Sequence, residues 1–412
     1  MGHRASSSTF QYTELLDTND QDADIIGIPK KSLFREDREK YGPCARRTII
    51  HNLEGKVGFK GRIACKADKY AHFLQRVVVV ADMPALESTV GSGTGIKWCK
   101  DIGYHLINAA YLYIDDKEVQ KITNHWLVIF RDITLRTDDT YTENNLIGNT
   151  EDLTEFSATK IGRRVYILIP YFFSRHPSLA LPLVAGKESK VEIKIEIKAL
   201  EELYILDTGS SILGGDAKKP QLEQVRLYLD YLRVDDGQIN VFIKQPLKYI
   251  IEQVQSTEIQ CNGIDYNIIL PFNFPIKCIF WTAQLTSFIE NGANQHSNYT
   301  DASDYLGNNL IDEAGIFVGK EEIIPMQKAE FFAILEPRKF SIKSPITGLN
   351  MYSFAVCPLD IEPSGTLNAS ASKDVILRLR LKSSAQTTVR IFAWSFNVMT
   401  AKNGQLFVKW LT

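Results

Sequence analysis

The sequence predicts an all-β protein built as two consecutive antiparallel sandwiches or jelly rolls. Three observations predict it. Residues 191–198 read VEIKIEIK and alternate without a fault, with Val191, Ile193, Ile195 and Ile197 on one face and Glu192, Lys194, Glu196 and Lys198 on the other. Period two is the signature of a strand, and one polar face belongs to an antiparallel sheet. Short apolar or aromatic runs recur along the chain, each stopped by Pro, Gly or Asp, with almost no long helical pattern between them. Finally, 412 residues exceed one compact core and imply two domains of about 200 residues each.

The elements follow in order. Residues 1–24 are polar and rich in Asp, Ser, Thr and Gln, and residues 28–47 mix Lys and Arg densely with Glu and Asp, so residues 1–35 read as an arm. A first domain spans 36–205. Within it, 77–80 is a buried run closing at Met83-Pro84, 106–114 is an aromatic-aliphatic strand ending in an Asp115-Asp116 turn, and 165–169 stops at Pro170. Two Gly-rich clusters and Pro220 make 206–220 the linker. The second domain, 221–412, opens with the alternating run 225–231. Residues 247–255 then show helical spacing after Pro246, with apolar residues at 247, 250, 251 and 254. Strands follow at 276–285, at 377–382 (Leu alternating with Arg and Lys) and at 389–398. The runs 106–116 and 225–236 echo one another, both ending in Asp-Asp, as a duplicated domain would produce.

Composition narrows the function classes. Hydrophobic residues make up 44% and charged residues 23%, as in ordinary globular proteins, and no run of about 18 apolar residues exists to span a membrane. Net charge is −2, so a genome-condensing basic protein is not expected. Six cysteines without CxxC spacing read as reduced, mostly buried thiols of a cytosolic protein. The N-terminus lacks the apolar core of a secretory signal. Asn298-Tyr-Thr300 and Asn368-Ala-Ser370 fit glycosylation sequons, which a chain without such a signal would not present to the secretory machinery.

Candidate chemistry is sparse. Residues 205–211, ILDTGSS, resemble the catalytic turn of aspartic proteases, but that chemistry needs two facing carboxylates and no second Asp-[Thr/Ser]-Gly exists, so Asp207 reads as part of a Gly/Ser turn. Residues 91–97, GSGTGIK, lack the Gly-Lys-[Ser/Thr] of a phosphate loop. The seven histidines show no ligand spacing, and His125 and His176 read as core-edge and turn residues. No catalytic, cofactor or metal residue is therefore assigned. A carbohydrate-binding jelly roll is a further reading, with no sugar platform visible to support it.

The richest segment is 348–370, GLNMYSFAVCPLDIEPSGTLNAS. It reads as a strand over 351–356, a polar turn punctuated by Pro358 and Pro363-Ser364-Gly365, and a second strand beyond Asn368. It closely resembles a signature of the major capsid proteins of nucleo-cytoplasmic large DNA viruses. Ile169-Pro-Tyr-Phe-Phe173, Leu179-Ala-Leu-Pro-Leu183, Leu229-Asp-Tyr231, residues 249–255, Asn273-Phe-Pro275, Trp281 with Gln284, and Trp394-Ser-Phe-Asn397 are similar to further motifs of that family, in its order. The N-terminal third departs most, keeping only Asp82-Met-Pro84 and Ile96-Lys-Trp98.

The resemblance implies two eight-stranded jelly rolls, a homotrimer with a pseudo-hexagonal outline, and an icosahedral shell tiled by such trimers over an internal membrane. It implies neighbouring capsomers as partners, and minor capsid proteins and the membrane layer beneath, met through the N-terminal arm. It implies no enzyme, no cofactor and no direct nucleic-acid binding, and places the protein in a virion assembled in the host cytoplasm. A poxvirus-like assembly scaffold or a minor capsid paralogue shares the same expected fold.

Overall fold

A computed structural model describes residues 44–410 apart from 69–70, 90–94, 214–218, 223, 245, 343–344 and 371–373. The expected arm, the charged stretch up to residue 43, most of the Gly91–Gly95 loop and the second Gly cluster lie outside the described residues.

Among the described residues, each half contributes eight principal strands. The first half holds β1 (Cys44–His51), β2 (Arg62–Lys66), β3 (Phe73–Met83), β4 (Ile107–Ile114), β5 (Lys117–Thr123), β6 (Arg163–Ile169), β7 (Val191–Ile197) and β8 (Gln224–Val234). The second holds β9 (Leu247–Cys261), β10 (Asp265–Ile269), β11 (Pro275–Leu285), β12 (Ile311–Val318), β13 (Glu321–Lys328), β14 (Leu349–Ser353), β15 (Val375–Leu381) and β16 (Thr387–Lys402). In the first half the sheets run β1-β8-β3-β6 and β2-β7-β4-β5, all antiparallel. In the second they run β9-β16-β11-β14 and β10-β15-β12-β13. Adding eight to every strand number of the first half gives the second. Each half is a jelly roll, and the fold is a double jelly roll.

The turns follow from local chemistry. Asp115 and Asp116 link β4 to β5 with φ of 51° and 61°, the left-handed pair that a two-residue hairpin needs and that Asp tolerates. Asp115 is held there by Ser189 Oγ and the Lys190 N–H, both donating at 2.7 Å.

The expectations need four corrections. Residues 206–220 do not link the domains: strands Tyr204–Leu206 and Ser211–Ile212 pair with Ile96–Trp98 and Leu86–Thr89 of the first roll. Strand β8 likewise completes the first roll, so the chain crosses between rolls at 235–246, where a helix covers Asp236–Lys244. The 247–255 stretch is strand, paired with β16 over fifteen residues. Its four consecutive buried residues, Ile251 to Val254, reflect a sheet covered on both faces, which hides the period of two. The 106–116 and 225–236 echo joins β4 to β8, which hold different places in the roll.

One further difference concerns β7. It is antiparallel as expected, but its polar face is only half wet. Glu192 is buried and lies 3.5 and 3.3 Å from Lys190 and Lys194. The charged face of β15, by contrast, exposes Arg378 and Arg380 as expected.

Two large hydrophobic cores result, beside a small cluster of Phe73, Ala180 and Val184. One fills the second roll, from Cys261 through Trp281 to Ala393. The other fills the first roll and continues into the contact between rolls, taking in Ile251, Phe280, Phe392 and Trp394. Along β16, Val389, Ile391 and Ala393 face the second core while Phe392 and Trp394 face the first, so both faces of this central strand are dry.

Candidate functional site: the junction between the two rolls

The polar and aromatic side chains singled out by the fold converge on the contact between rolls. Helix α1 (Asn124–Thr134) leaves β5 with Thr123 as its cap, whose hydroxyl accepts the Trp126 N–H at 3.4 Å. It carries Trp126 and Phe130 onto the second roll. The Trp126 ring centroid lies 5.7 Å from Phe280, 5.7 Å from Phe392 and 6.1 Å from Trp394, and Phe130 lies 6.0 Å from Trp394. Such ring contacts add about 0.5–1.5 kcal/mol each beyond area burial.

Beside this box three charges are buried together. Glu252 of β9 accepts from Arg175 of the first roll at 3.0 Å and from Lys277 of β11. The Lys277 ammonium stands 4.3 Å from the Trp394 ring centroid, and the Arg175 guanidinium 5.2 Å from it. Burial pulls Lys277 below the usual lysine range, and the Glu252 carboxylate opposes that pull. The free donors of both cations hold the signature segment: Arg175 donates to Leu359 O at 2.9 Å and Lys277 to Asp360 O at 2.7 Å.

That segment keeps its expected strand–turn–strand order with shifted bounds: the first strand is Leu349–Ser353 rather than 351–356, and the short strand Leu367–Asn368 follows and pairs with β11. Strand β14 stops at Ser353, and the chain then loops to Gly365. Ser364 Oγ accepts the Cys357 N–H at 2.8 Å and so closes the loop. Gly348 has φ +93°, and a Cβ there would stand 2.2 Å from Tyr299 O. Asn350 is fully buried, donating to Gly348 O at 3.1 Å and accepting from Asn309 at 2.9 Å. The signature is thus held as a clasp against both rolls.

A second polar cluster escaped the sequence reading. His105 and His125 of the first roll meet His296 of the second, with His105 ring centroids 5.9 Å from His125 and 5.0 Å from His296. His105 bonds Ser297 Oγ at 2.7 Å, His125 bonds Tyr299 OH at 3.0 Å, and His296 bonds Glu202 O at 2.7 Å. Ser297 in turn donates to Asp101 at 2.8 Å, and Arg131 donates to the other oxygen of Asp101 at 2.5 Å. Burial, reinforced by Lys198 and Arg390, drives all three imidazoles below their ordinary range, His296 to about 3. Burial alone would raise Asp101, but Arg131 and Lys100 outweigh it and hold the carboxyl low. Nothing in the spacing of 105, 125 and 296 announces the cluster. Only the tertiary fold brings them together.

The remaining candidates have ordinary places. Asp207 accepts the Thr208 N–H at 2.8 Å in a tight turn whose Gly209 has φ +81° and which the Ser210 N–H closes by donating to Asp207 O at 2.9 Å. His176 accepts the Ser178 N–H at 3.2 Å and caps a short 3-10 turn. Cys65, Cys99, Cys261 and Cys278 are buried and Cys44 and Cys357 exposed, all as free thiols; burial pushes Cys65, Cys99 and Cys278 up to about 12. Asn298 is fully buried and bonded to Gln295 and Ala302, which closes it to glycosylation in the folded chain, whereas Asn368 is exposed. No group of His, Cys, Asp or Glu among the described residues is arranged to hold a metal ion.

Two rolls of one topology, joined through buried aromatic and polar side chains, define the double jelly-roll class of proteins. Residues 32–235 match the family described as major capsid protein N-terminus, and residues 239–406 match the large eukaryotic DNA virus major capsid protein. The break between the two matches falls where the chain crosses between rolls. The chain belongs to the major capsid protein family of large eukaryotic DNA viruses. It is 22% identical to the probable capsid protein 4 of Acanthamoeba polyphaga mimivirus over 92% of this chain and 94% of that one. It is 24% identical to the major capsid protein of Paramecium bursaria Chlorella virus 1 over 88% and 85%. Its fold is similar to the Faustovirus major capsid protein, with TM-score 0.79 at 11% identity over 93% and 94% of the chains. It is also similar to a subunit of the PBCV-1 virus capsid quasi-atomic model, with TM-score 0.76 at 21% identity over 92% and 100%.

Proposed function

We propose that this chain is a structural capsid subunit that trimerises into pseudo-hexameric capsomers tiling the shell of a large DNA virus. The observation that carries the reading is the repeated strand order. Two rolls of identical topology in one subunit give three copies six similar corners, and a closed three-fold ring of heterologous contacts limits its own growth. Each roll pairs its strands in two four-stranded sheets that bury their apolar faces. A net charge of −2 lets like subunits approach with little long-range repulsion.

The role is a tile without catalysis, found in the virion, with neighbouring capsomers as partners and with minor capsid proteins and the membrane layer met through residues 1–35. The family's relatives are named as capsid proteins, and the Asp207 turn satisfies its own backbone. Light scattering and negative-stain microscopy of the purified full chain test this. A three-lobed particle with a six-cornered outline is expected, and Asp207→Ala should assemble like the parent chain. A clean monomer at micromolar concentration, or peptide cleavage lost in Asp207→Ala, would overturn the reading.

A further inference from the structure

A cavity of about 420 Å³ opens between the two rolls. Strands β4 and β5 and the start of α1 line it on one side, and β9 and β16 on the other. Its charged lining is unbalanced. Lys121, Lys198 and Arg390 carry positive charge there, and Glu258 is the one acidic side chain that lines it. Lys198 and Arg390 are nine-tenths buried, whereas Glu258 is half exposed. Arg390 spends its Nε on Glu258 at 2.9 Å and one Nη on Gln284 at 2.7 Å. The nearest carboxylate of Lys198, Glu202, stands 3.8 Å away and is itself half exposed.

We propose that this cleft binds an oxyanion of the phosphate class, held by Lys198 and Arg390 and bridging the two rolls. A cation withdrawn from water needs a close anionic partner, and half-exposed carboxylates supply it only in part. The neighbouring histidines do not help, since His105, His125 and His296 stay neutral beside the same two cations. Hydroxyl groups of Thr123, Ser256 and Thr257 also line the space and come from both rolls, while the Asn108 amide donates to Glu196 at 3.3 Å. A tetrahedral oxyanion has acceptors in several directions and suits a guanidinium, an ammonium and hydroxyls that converge from opposite walls. A planar carboxylate or a chloride ion matches fewer of them. Bound there, the anion would cross-link the rolls and stiffen the junction.

Calorimetric titration of the full chain with sodium phosphate, against sodium chloride at matched ionic strength, tests the site. Thermal melting of the same samples supplies a second readout. Saturable binding of one phosphate per chain is expected, with a rise in melting temperature that chloride does not reproduce. Lys198→Met should weaken binding at least about tenfold, and Lys121→Ser, on the exposed rim, several-fold (~1 kcal/mol or less). Responses to phosphate equal to those to chloride would overturn the site, as would unchanged affinity in both variants. Should Lys198→Met fail to fold, Lys121→Ser decides alone, and unchanged affinity there counts against the site. Tighter binding of glutarate than of phosphate would overturn the assigned ligand class.

Discussion

Glu252 shows what a single residue does in this molecule. It is buried against two cations, Arg175 from one roll and Lys277 from the other. Glu252→Ala would leave both cations without their shared carboxylate in a dry site. Removing one member of a buried charge network costs about 3–5 kcal/mol. Urea unfolding should show that loss as a lower midpoint, and a variant within about 0.5 kcal/mol of the parent would refute the role. The surface pair Arg380–Asp265, with both side chains about half exposed or more, offers the contrast: its removal should cost less than about 1 kcal/mol. The signature residues divide in the same way. Gly348, Asn350 and Ser364 shape the backbone, while the cations that hold the loop lie far away in sequence at 175 and 277. The motif was legible as a motif, but its partners carried no pattern that spacing could reveal.

At the scale of elements, legibility followed solvent. Strand β15 and the Asp115–Asp116 turn could be read directly because one side meets water or one backbone geometry is demanded. Strand β9 could not, because Ile251–Val254 are dry on both faces and imitate a helical stripe. The linker was misplaced for a related reason: Gly and Ser mark any loop, and the loop before β8 is richer in them than the true crossover at 235–246. The histidine cluster was invisible because three elements from both rolls assemble it. It has a consequence for pH. The folded imidazoles of His105, His125 and His296 hold protons less tightly than the unfolded ones, whose ordinary value is about 6.5. The stability tied to their neutral form is therefore complete above about pH 6.5 and is lost as pH falls below it, by about 1.4 kcal/mol per histidine per pH unit. The groups around them do not cancel this. Arg131 is raised by Asp101 against the pull of burial and stays charged through that window, and Asp101, held low by Arg131 and Lys100, titrates only in stronger acid. Urea midpoints at about pH 7.5 and about pH 5.5 should differ markedly. His105→Gln should narrow the difference by about one proton's worth, and a flat profile in the parent would refute the account.

For the whole molecule, the shared core predicts cooperativity. The first roll's core runs without a break into Ile251, Phe280, Phe392 and Trp394 of the second. Calorimetry should therefore show both rolls melting in one transition, and two resolved transitions would mean the junction is weaker than its burial suggests. Trp126→Ala, which empties the centre of the aromatic box at a cost of about 3–5 kcal/mol, should be the change most able to split them. The duplicated plan was partly legible, since two domains of antiparallel strands were expected. The equivalence itself was not. It relates β8 to β16, each lying between the first and third strands of its own roll.

The short strand Gln405–Val408 pairs with β16 and tucks Leu406 against Gly186, with the Leu406 N–H donating to Ser189 Oγ at 2.9 Å across 217 positions of sequence. During synthesis, then, the first roll emerges from the ribosome long before the piece that seals its flank. Until that piece arrives, the nascent chain exposes a greasy seam to its neighbours on the polysome. Chaperone demand should consequently peak late in translation, and trimming the message just short of codon 405 should yield a sticky product rather than a smaller tile.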